Sequence, residues 1–346
     1  MLLELNQISK FFKGNNSHAL NELTLALKEG EIVCLVGESG CGKTTCLRAI
    51  AGFERPDSGS ISLNGKILCD DSNYVPPEKR GISMVFQEDA LFPHLSVKEN
   101  INFALDGISK SKRTDRVKEM LKLVDLEEEG DRYPHQLSGG QRQRVALARA
   151  LAPDPDMVLL DEPYSNLDEM LKAQLLEEIN IILRKRKATA LIVTHTIADA
   201  IQVADRIAIL KDGILQQFDT PQKLYDHPVN SYVAKFFGTS NILNGKVKDG
   251  YIETAIGPVH IDVEDGIENV KISIRPEHFD FVPDTEGLCS DLRHIRFRDG
   301  YKELLLQVQD QPSLWLKVKA KSDMDVSIGD CIHVQPHPEK VRVLND

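Results

Sequence analysis

The sequence predicts an α/β domain built on a parallel sheet with helices on both faces, followed by a small all-β domain. Three observations point there. Apolar strand-like runs alternate with amphipathic helical ones to about residue 220, the pattern of a parallel sheet covered on both sides. A stretch from about 88 to 156 reads as helical throughout, an excursion within that alternation. Beyond about 240 the helical period is almost lost, and KDG, EDG, RDG and IGD turns separate short strands. We therefore expect one domain over 1–240, with a helical subdomain near 88–156, and a second over 241–346. The length of 346 residues, 41% hydrophobic and 27% charged, suits two domains with ordinary buried cores.

The elements follow in order. LLELNQ, LTLAL and EIVCLV read as strands, with Lys28-Glu29-Gly30-Glu31 as a turn before the last. A glycine-rich segment at 37–42 leads into a helix over Lys43–Ala51 that stops at Gly52. GSISLNG is a short strand closed by the turn pair Asn64-Gly65, and GISMVFQ (81–87) is an apolar strand. Ser96 can cap a helix through Leu105; Arg113–Val124 and Gln141–Leu151 are the next two. Alternation then resumes with MVLL, a long helix near 168–186, TALIV, a helix from Thr196, and RIAIL; Thr220-Pro221 opens one more helix.

Composition excludes several classes. The net charge is −11, with 29 basic against 34 acidic residues in 1–240 and 13 against 19 in 241–346. Neither part has the basic excess needed to neutralise phosphates, so nucleic acid is not an expected partner. No run approaches the ~18 apolar residues of a membrane-spanning helix. The start, MLLELNQISKFF, has no basic segment followed by an apolar one, so no signal peptide is read. Cys34, Cys41, Cys46, Cys69, Cys289 and Cys331 show no CxxC spacing or paired framework, which points to small buried hydrophobes in a reducing cytosol. The histidines, among them His18, His94, His135 and His227, lack metal-ligand spacing and read as surface or capping residues.

Chemistry concentrates in Gly37-Glu38-Ser39-Gly40-Cys41-Gly42-Lys43-Thr44, a G-x-x-x-x-G-K-[ST] pattern set between a strand and a helix, with Thr45 following in the helix. Glycines let backbone N–H groups turn inward around phosphate oxygens, and the helix N-terminus adds its positive dipole end. In such a P-loop Lys43 reaches the β- and γ-phosphates and the Thr44 hydroxyl ligates Mg²⁺. MVLLDE delivers Asp161 and Glu162 at the carboxyl end of an apolar strand, where α/β sheets place their ligands. Asp161 suits Mg²⁺ through a water; Glu162 suits polarisation of an attacking water.

Leu137-Ser138-Gly139-Gly140-Gln141 resembles the signature motif of ATP-binding cassette (ABC) ATPases, and the other elements of that family stand in order around it. Gln87 is similar to the Q-loop glutamine, Ser165-Asn166-Leu167-Asp168 to the D-loop, and His195 to the switch histidine. Phe12 takes the place of the aromatic that stacks on adenine, with Phe11 second. Tyr164 and Thr196 depart from residues common in relatives, and neither removes a phosphate ligand. The resemblance covers essentially the whole chain. It implies an α/β P-loop NTPase with a RecA-like core and a helical subdomain, hydrolysing Mg·ATP with Lys43, Gln87, Glu162 and His195 at the reaction and Mg²⁺ near Thr44, Gln87 and Asp161. It also implies two ATP molecules sandwiched in a head-to-tail dimer, each between one chain's P-loop and the other's Ser138–Gln141. From the residues themselves, Ser138-Gly139-Gly140 opening a helix is a second phosphate-type site, and one γ-phosphate does not easily occupy two helix N-termini of one protomer.

In the tail, Ser273–Phe281 (SIRPEHFDF, with Arg275-Pro276-Glu277 at its centre) resembles a strand of the small OB-like regulatory domain that follows the ATPase in importers of maltose, polyamine, sulfate and ferric iron. This implies a peripheral subunit on the cytoplasmic face of the membrane, with two permease subunits, contacted through about Gln87–Asn100, and an external solute-binding protein as partners. GISMVFQEDALFPHLSVKENI and YPHQLSGGQRQRVALARALAPDP look most like ferric-iron importer ATPases; polyamine, sulfate or sugar import by the same machinery is the alternative. A soluble ABC ATPase acting on nucleic acid is the alternative of another class.

Overall fold

A computed structural model of the chain describes residues 1–12, 18–87, 90–106, 109–163, 169–248, 251–260, 268–284 and 286–345, with the side chains of residues 169 and 170 excepted. The chain divides into two compact units, Met1–Pro221 and Gln222–Asp346.

The first unit opens with β1 (Leu3–Phe11) and β2 (His18–Leu27), followed by β3 (Ile32–Val36) and α1 (Lys43–Ala51). Next come β4 (Ser58–Leu63), β5 (Lys66–Cys69) and β6 (Ile82–Val85). The helices α2 (Val97–Phe103), α3 (Lys110–Leu123) and α4 (Gly139–Leu151) occupy the stretch that the sequence marks as helical. The unit continues through β7 (Met157–Asp161), α5 (Glu169–Lys185), β8 (Ala190–Thr194), α6 (Ile197–Val203), β9 (Arg206–Lys211) and β10 (Ile214–Asp219). Two sheets result. One is antiparallel, ordered β2-β1-β4-β5; the other is ordered β10-β9-β3-β8-β7-β6 and is parallel except for β10 at its edge.

The parallel sheet has the expected physics. Every residue of β3, β7 and β8 is buried, because helices cover both faces and no side of the strand meets water. At ~1.5–3 kcal/mol per fully buried Val, Leu or Ile, these strands anchor the unit. In contrast, β1 alternates between buried and exposed residues near its start, with one solvated face.

The second unit holds α7 (Pro221–Asp226, its first residue at the division), α8 (Ser231–Phe236) and ten strands. These are β11 (Asn241–Lys248), β12 (Tyr251–Thr254), β13 (Gly257–Val259), β14 (Asn269–Ile274), β15 (Phe279–Phe281), β16 (Leu288–Arg298), β17 (Tyr301–Val308), β18 (Trp315–Lys321), β19 (Cys331–Pro336) and β20 (Arg342–Leu344). They form two five-stranded sheets, β13-β12-β11-β14-β20 and β15-β19-β16-β17-β18, enclosing one apolar core. The sequence places the domain junction near 240; the contacts divide the chain at 221, so two short helices join the β-unit. Arg275 supplies the physical reason. Its buried guanidinium donates to the carbonyls of Tyr225, Ala234, Gly238 and Thr239 and lies 4.1 Å from the centroid of the Tyr225 ring. Glu277 accepts the Tyr225 hydroxyl. The Arg-Pro-Glu segment is thus a pin that ties α7 and α8 to β14. Arg275→Lys is expected to cost the second unit about 2–4 kcal/mol, because lysine cannot reproduce a planar fork buried among carbonyls. Thermal unfolding of the full chain monitored at Trp315 checks this.

One expectation from the sequence needs correction. Cys289 and Cys331 are not separate buried hydrophobes: they form a disulfide, and Cys331 is exposed. They stand 42 positions apart, and only the pairing of β16 with β19 brings them together. Cys34, Cys41, Cys46 and Cys69 are buried free thiols.

Candidate functional site

Strands β3, β8 and β7 lie side by side and run parallel, so their carboxyl ends open on one edge of the sheet. Val36 is level with Thr194, and Asp161 with Val193. The glycine-rich segment leaves β3, Glu162 follows β7, and His195 follows β8. Alternating helical crossovers set this convergence, which is where open α/β sheets bind their ligands.

The loop after β3 is built for close backbone approach. Gly42 has φ 108°, and a Cβ there would sit 2.1 Å from the Ala19 carbonyl oxygen. A Cβ on Gly37 would meet the Leu210 carbonyl oxygen at 2.3 Å. Only glycine fits either place. Gly42 is the N-cap of α1 and provides no side-chain cap, so the first-turn N–H groups face the loop without an internal acceptor. The buried Lys43 ammonium donates to the carbonyls of Gly37 (2.8 Å) and Glu38 (2.9 Å), closing the loop into a ring. Cys41 lies within this ring and burial pushes its thiol up, the environment of an unreactive rather than a redox-poised cysteine.

The acidic side faces this ring from β7. The Thr44 hydroxyl is hydrogen-bonded to Asp161. Burial pushes the Asp161 carboxyl up, and the adjacent Glu162 charge pushes the same way; Arg48, Thr44 and Lys43 act against them. Two neighbouring carboxylates with a hydroxyl beside them form a hard-oxygen set that a divalent cation would relieve, so these residues fit Mg²⁺. Glu162 has φ 44°, in the left-handed region, and its N–H donates to the Val193 carbonyl (3.0 Å). That bend brings its carboxylate to 3.3 Å from Nδ1 of His195.

A support under His195 is not evident from the sequence. Buried Asp199, in the first turn of α6, accepts from the Thr194 hydroxyl (3.2 Å) and pairs with Lys172 at 2.6 Å, while Thr194 Oγ1 accepts the Thr196 N–H. These bonds fix the backbone on both sides of His195. The available signal was an acidic residue in the first turn of a helix. Arg48, one turn into α1, is a second missed contributor, through its field at Asp161.

Other candidates sit elsewhere. Ser138 caps α4: its Oγ accepts the Gln141 N–H (3.2 Å) and its N–H donates to Gln141 Oε1 (2.9 Å). Ser138, Gly139, Gly140 and Gln141 line a depression with residues of α4 and α5, and none of the P-loop residues lines it. Gln87 is exposed just beyond β6. Phe11 ends β1 opposite His18, with ring centroids 5.4 Å apart, and the next residue of β2, Ala19, abuts Gly42. Phe12 is half-buried, with the Lys10 ammonium 5.3 Å from its ring centroid. Asp168 and the rest of the expected D-loop, with Tyr164, lie outside the described residues.

Comparison with known proteins agrees with this architecture. A family model described as ABC transporter matches residues 20–165. The Fe(3+) ions import ATP-binding protein FbpC 2 of Haemophilus influenzae is 38% identical over 345 residues, covering 97% of this chain and 95% of that protein. The putrescine transport ATP-binding protein PotG of Escherichia coli is 43% identical over 288 residues, covering 80% and 75%. Among solved structures, the ATP-binding cassette MJ0796, in a dimeric post-hydrolysis state bound to ADP and Pi, matches with 33% identity and a TM-score of 0.55, covering 63% of this chain and 98% of that one. CbiO1 from Clostridium perfringens, part of an ABC transporter complex, matches with 26% identity and a TM-score of 0.60, covering 65% and 91%. With the loop after β3 and the acidic end of β7 converging on one sheet edge, and with relatives alike over nearly the whole chain, the protein belongs to the ABC transporter family as an ATP-hydrolysing, ATP-binding subunit.

Proposed function

We propose that this chain drives import of ferric iron, working as a homodimer on the inner face of the membrane beside a separate permease that receives iron from an external binding protein. The single observation behind the motor reading is the convergence of β3, β7 and β8 on one sheet edge with Lys43, Glu162 and His195 at their ends. The P-loop N–H groups and Lys43 hold the β- and γ-phosphates. The aromatic residues at the end of β1 supply the adenine platform, with Phe12 the first choice and Phe11 the second. Glu162 accepts the proton of the attacking water. His195, held by the Asp199 support, donates toward the γ-phosphate as its charge develops. Thr44, Asp161 and Gln87 would hold Mg²⁺, which when bound neutralises phosphate charge. Because Ser138–Gln141 form a depression apart from the P-loop, they serve the γ-phosphate of a second copy.

No helix among the described residues is long and apolar enough to cross a membrane, which leaves translocation to a partner. The iron assignment rests on relatives named for Fe(3+) import and aligned over nearly their full length. Reconstitution with its permease in vesicles checks it. An iron-loaded binding protein is expected to stimulate ATP hydrolysis several-fold. Stimulation by a polyamine-loaded protein and none by iron overturns the solute while keeping the motor.

A further inference from the structure

The second unit carries a cluster that the ATPase does not use. In the β16–β19 pair, Cys289 is opposite His333 and Asp291 is opposite Cys331. Directly opposed residues and alternate residues share a face, so all four side chains project from the same side of the sheet. One ligating atom from each of Cys289, Cys331 and His333 lies within 4.8 Å of the others. Among the described residues this is the one group of three or more such ligands. Cys331-Ile332-His333 escapes a search for metal spacing because its two ligands are joined by strand geometry and the third lies 42 positions away.

We infer that the reduced Cys289–Cys331 pair and His333 form a binding site for a borderline-soft divalent cation of the zinc class. Four features carry this. Two thiolates and an imidazole are the donors such ions select. His333 Nδ1 lies 3.0 Å from the Glu286 carbonyl oxygen, which can only accept; Nδ1 therefore carries the hydrogen, and Nε2 keeps its lone pair for a metal. The cysteine Cα atoms are 6.2 Å apart, and Cys331 is exposed, so an ion has access. Asp291 is occupied by Arg293 (2.7 Å) and Gln309 (2.7 Å), which leaves the fourth corner of a tetrahedral ion to water. The other four cysteines are buried and do not compete; burial pushes the Cys46 thiol up to about 12.

Metal and disulfide exclude each other at this site. A phosphine reductant passes an electron pair to the S–S bond, takes its oxygen from water, and the two protons of that water go to the sulfurs of Cys289 and Cys331. Zinc binding then releases both protons as the two S–Zn bonds form. Opening and refilling of the site ties β16 to β19 in two chemically distinct ways.

The test uses the nucleotide-free full chain, freed of metal, reduced with a phosphine and desalted. Zinc titration against a chromogenic chelator is expected to find one site per reduced chain that is absent from the oxidised chain and from a Cys289→Ser/Cys331→Ser double variant. His333→Ala is expected to weaken it by at least about tenfold. Cobalt on the reduced wild-type chain should give a thiolate-to-metal charge-transfer band, a readout that needs no variant to fold. Equal zinc stoichiometry in the reduced chain and the double variant, affinity unchanged in His333→Ala, or no cobalt–thiolate band each overturns the proposal.

Discussion

Glu162→Gln is expected to bind Mg·ATP at near wild-type affinity and to hydrolyse it at least about 100-fold more slowly, the scale of a lost general base. The amide has the shape of the carboxylate, so the left-handed bend at residue 162 and its bond to the Val193 carbonyl survive. What is lost is the acceptor for a water proton. Removing the negative charge beside Asp161 also relieves the repulsion acting on that buried carboxyl. The variant should therefore accumulate as an ATP-bound dimer, visible by size-exclusion chromatography with ATP and Mg²⁺. Hydrolysis within a few-fold of wild type would remove Glu162 from the reaction.

A mixture of two inactive chains is expected to regain activity. Lys43→Ala removes the ammonium of the P-loop, and Ser138→Arg fills the depression at the start of α4. In a head-to-tail dimer each ATP takes Lys43 from one chain and Ser138 from the other. A heterodimer of the two variants then carries one doubly damaged site and one intact site. Random pairing makes half of the dimers mixed, so about a quarter of the wild-type sites are restored. Each variant alone should fall by two orders of magnitude or more, since phosphate positioning and charge stabilisation are both lost. A chain carrying both substitutions, mixed with wild type, gives heterodimers with no intact site. No recovery in the mixture of single variants, with the wild-type chains still fully active when paired with the doubly substituted chain, places both residues in one protomer's site and ends the dimer reading.

The parallel sheet was legible because its strands are apolar runs bounded by turn residues, and the loop after β3 because glycines and a lysine stand at fixed spacing. The excursion between β6 and β7 was legible as helix for similar local reasons, including Ser96 as a helix cap, and the structure adds Glu99 as the other half of a capping box. Three things were not. The fate of α7 and α8 depended on Arg275, whose bonds reach residues 36 to 50 positions away. The support beneath His195 depended on Lys172 and Asp199 coming from different helices. The pairing of Cys289 with Cys331 depended on strand register alone.

The sequence by itself therefore determined the elements, the P-loop, the acidic strand end and the family, because each is written in residues close along the chain. Only the tertiary structure decided which carboxylate faces His195, where the second unit begins, and which cysteines meet. Those outcomes rest on contacts across strands and helices, where a side chain's neighbour is set by packing and register rather than by its position in the chain.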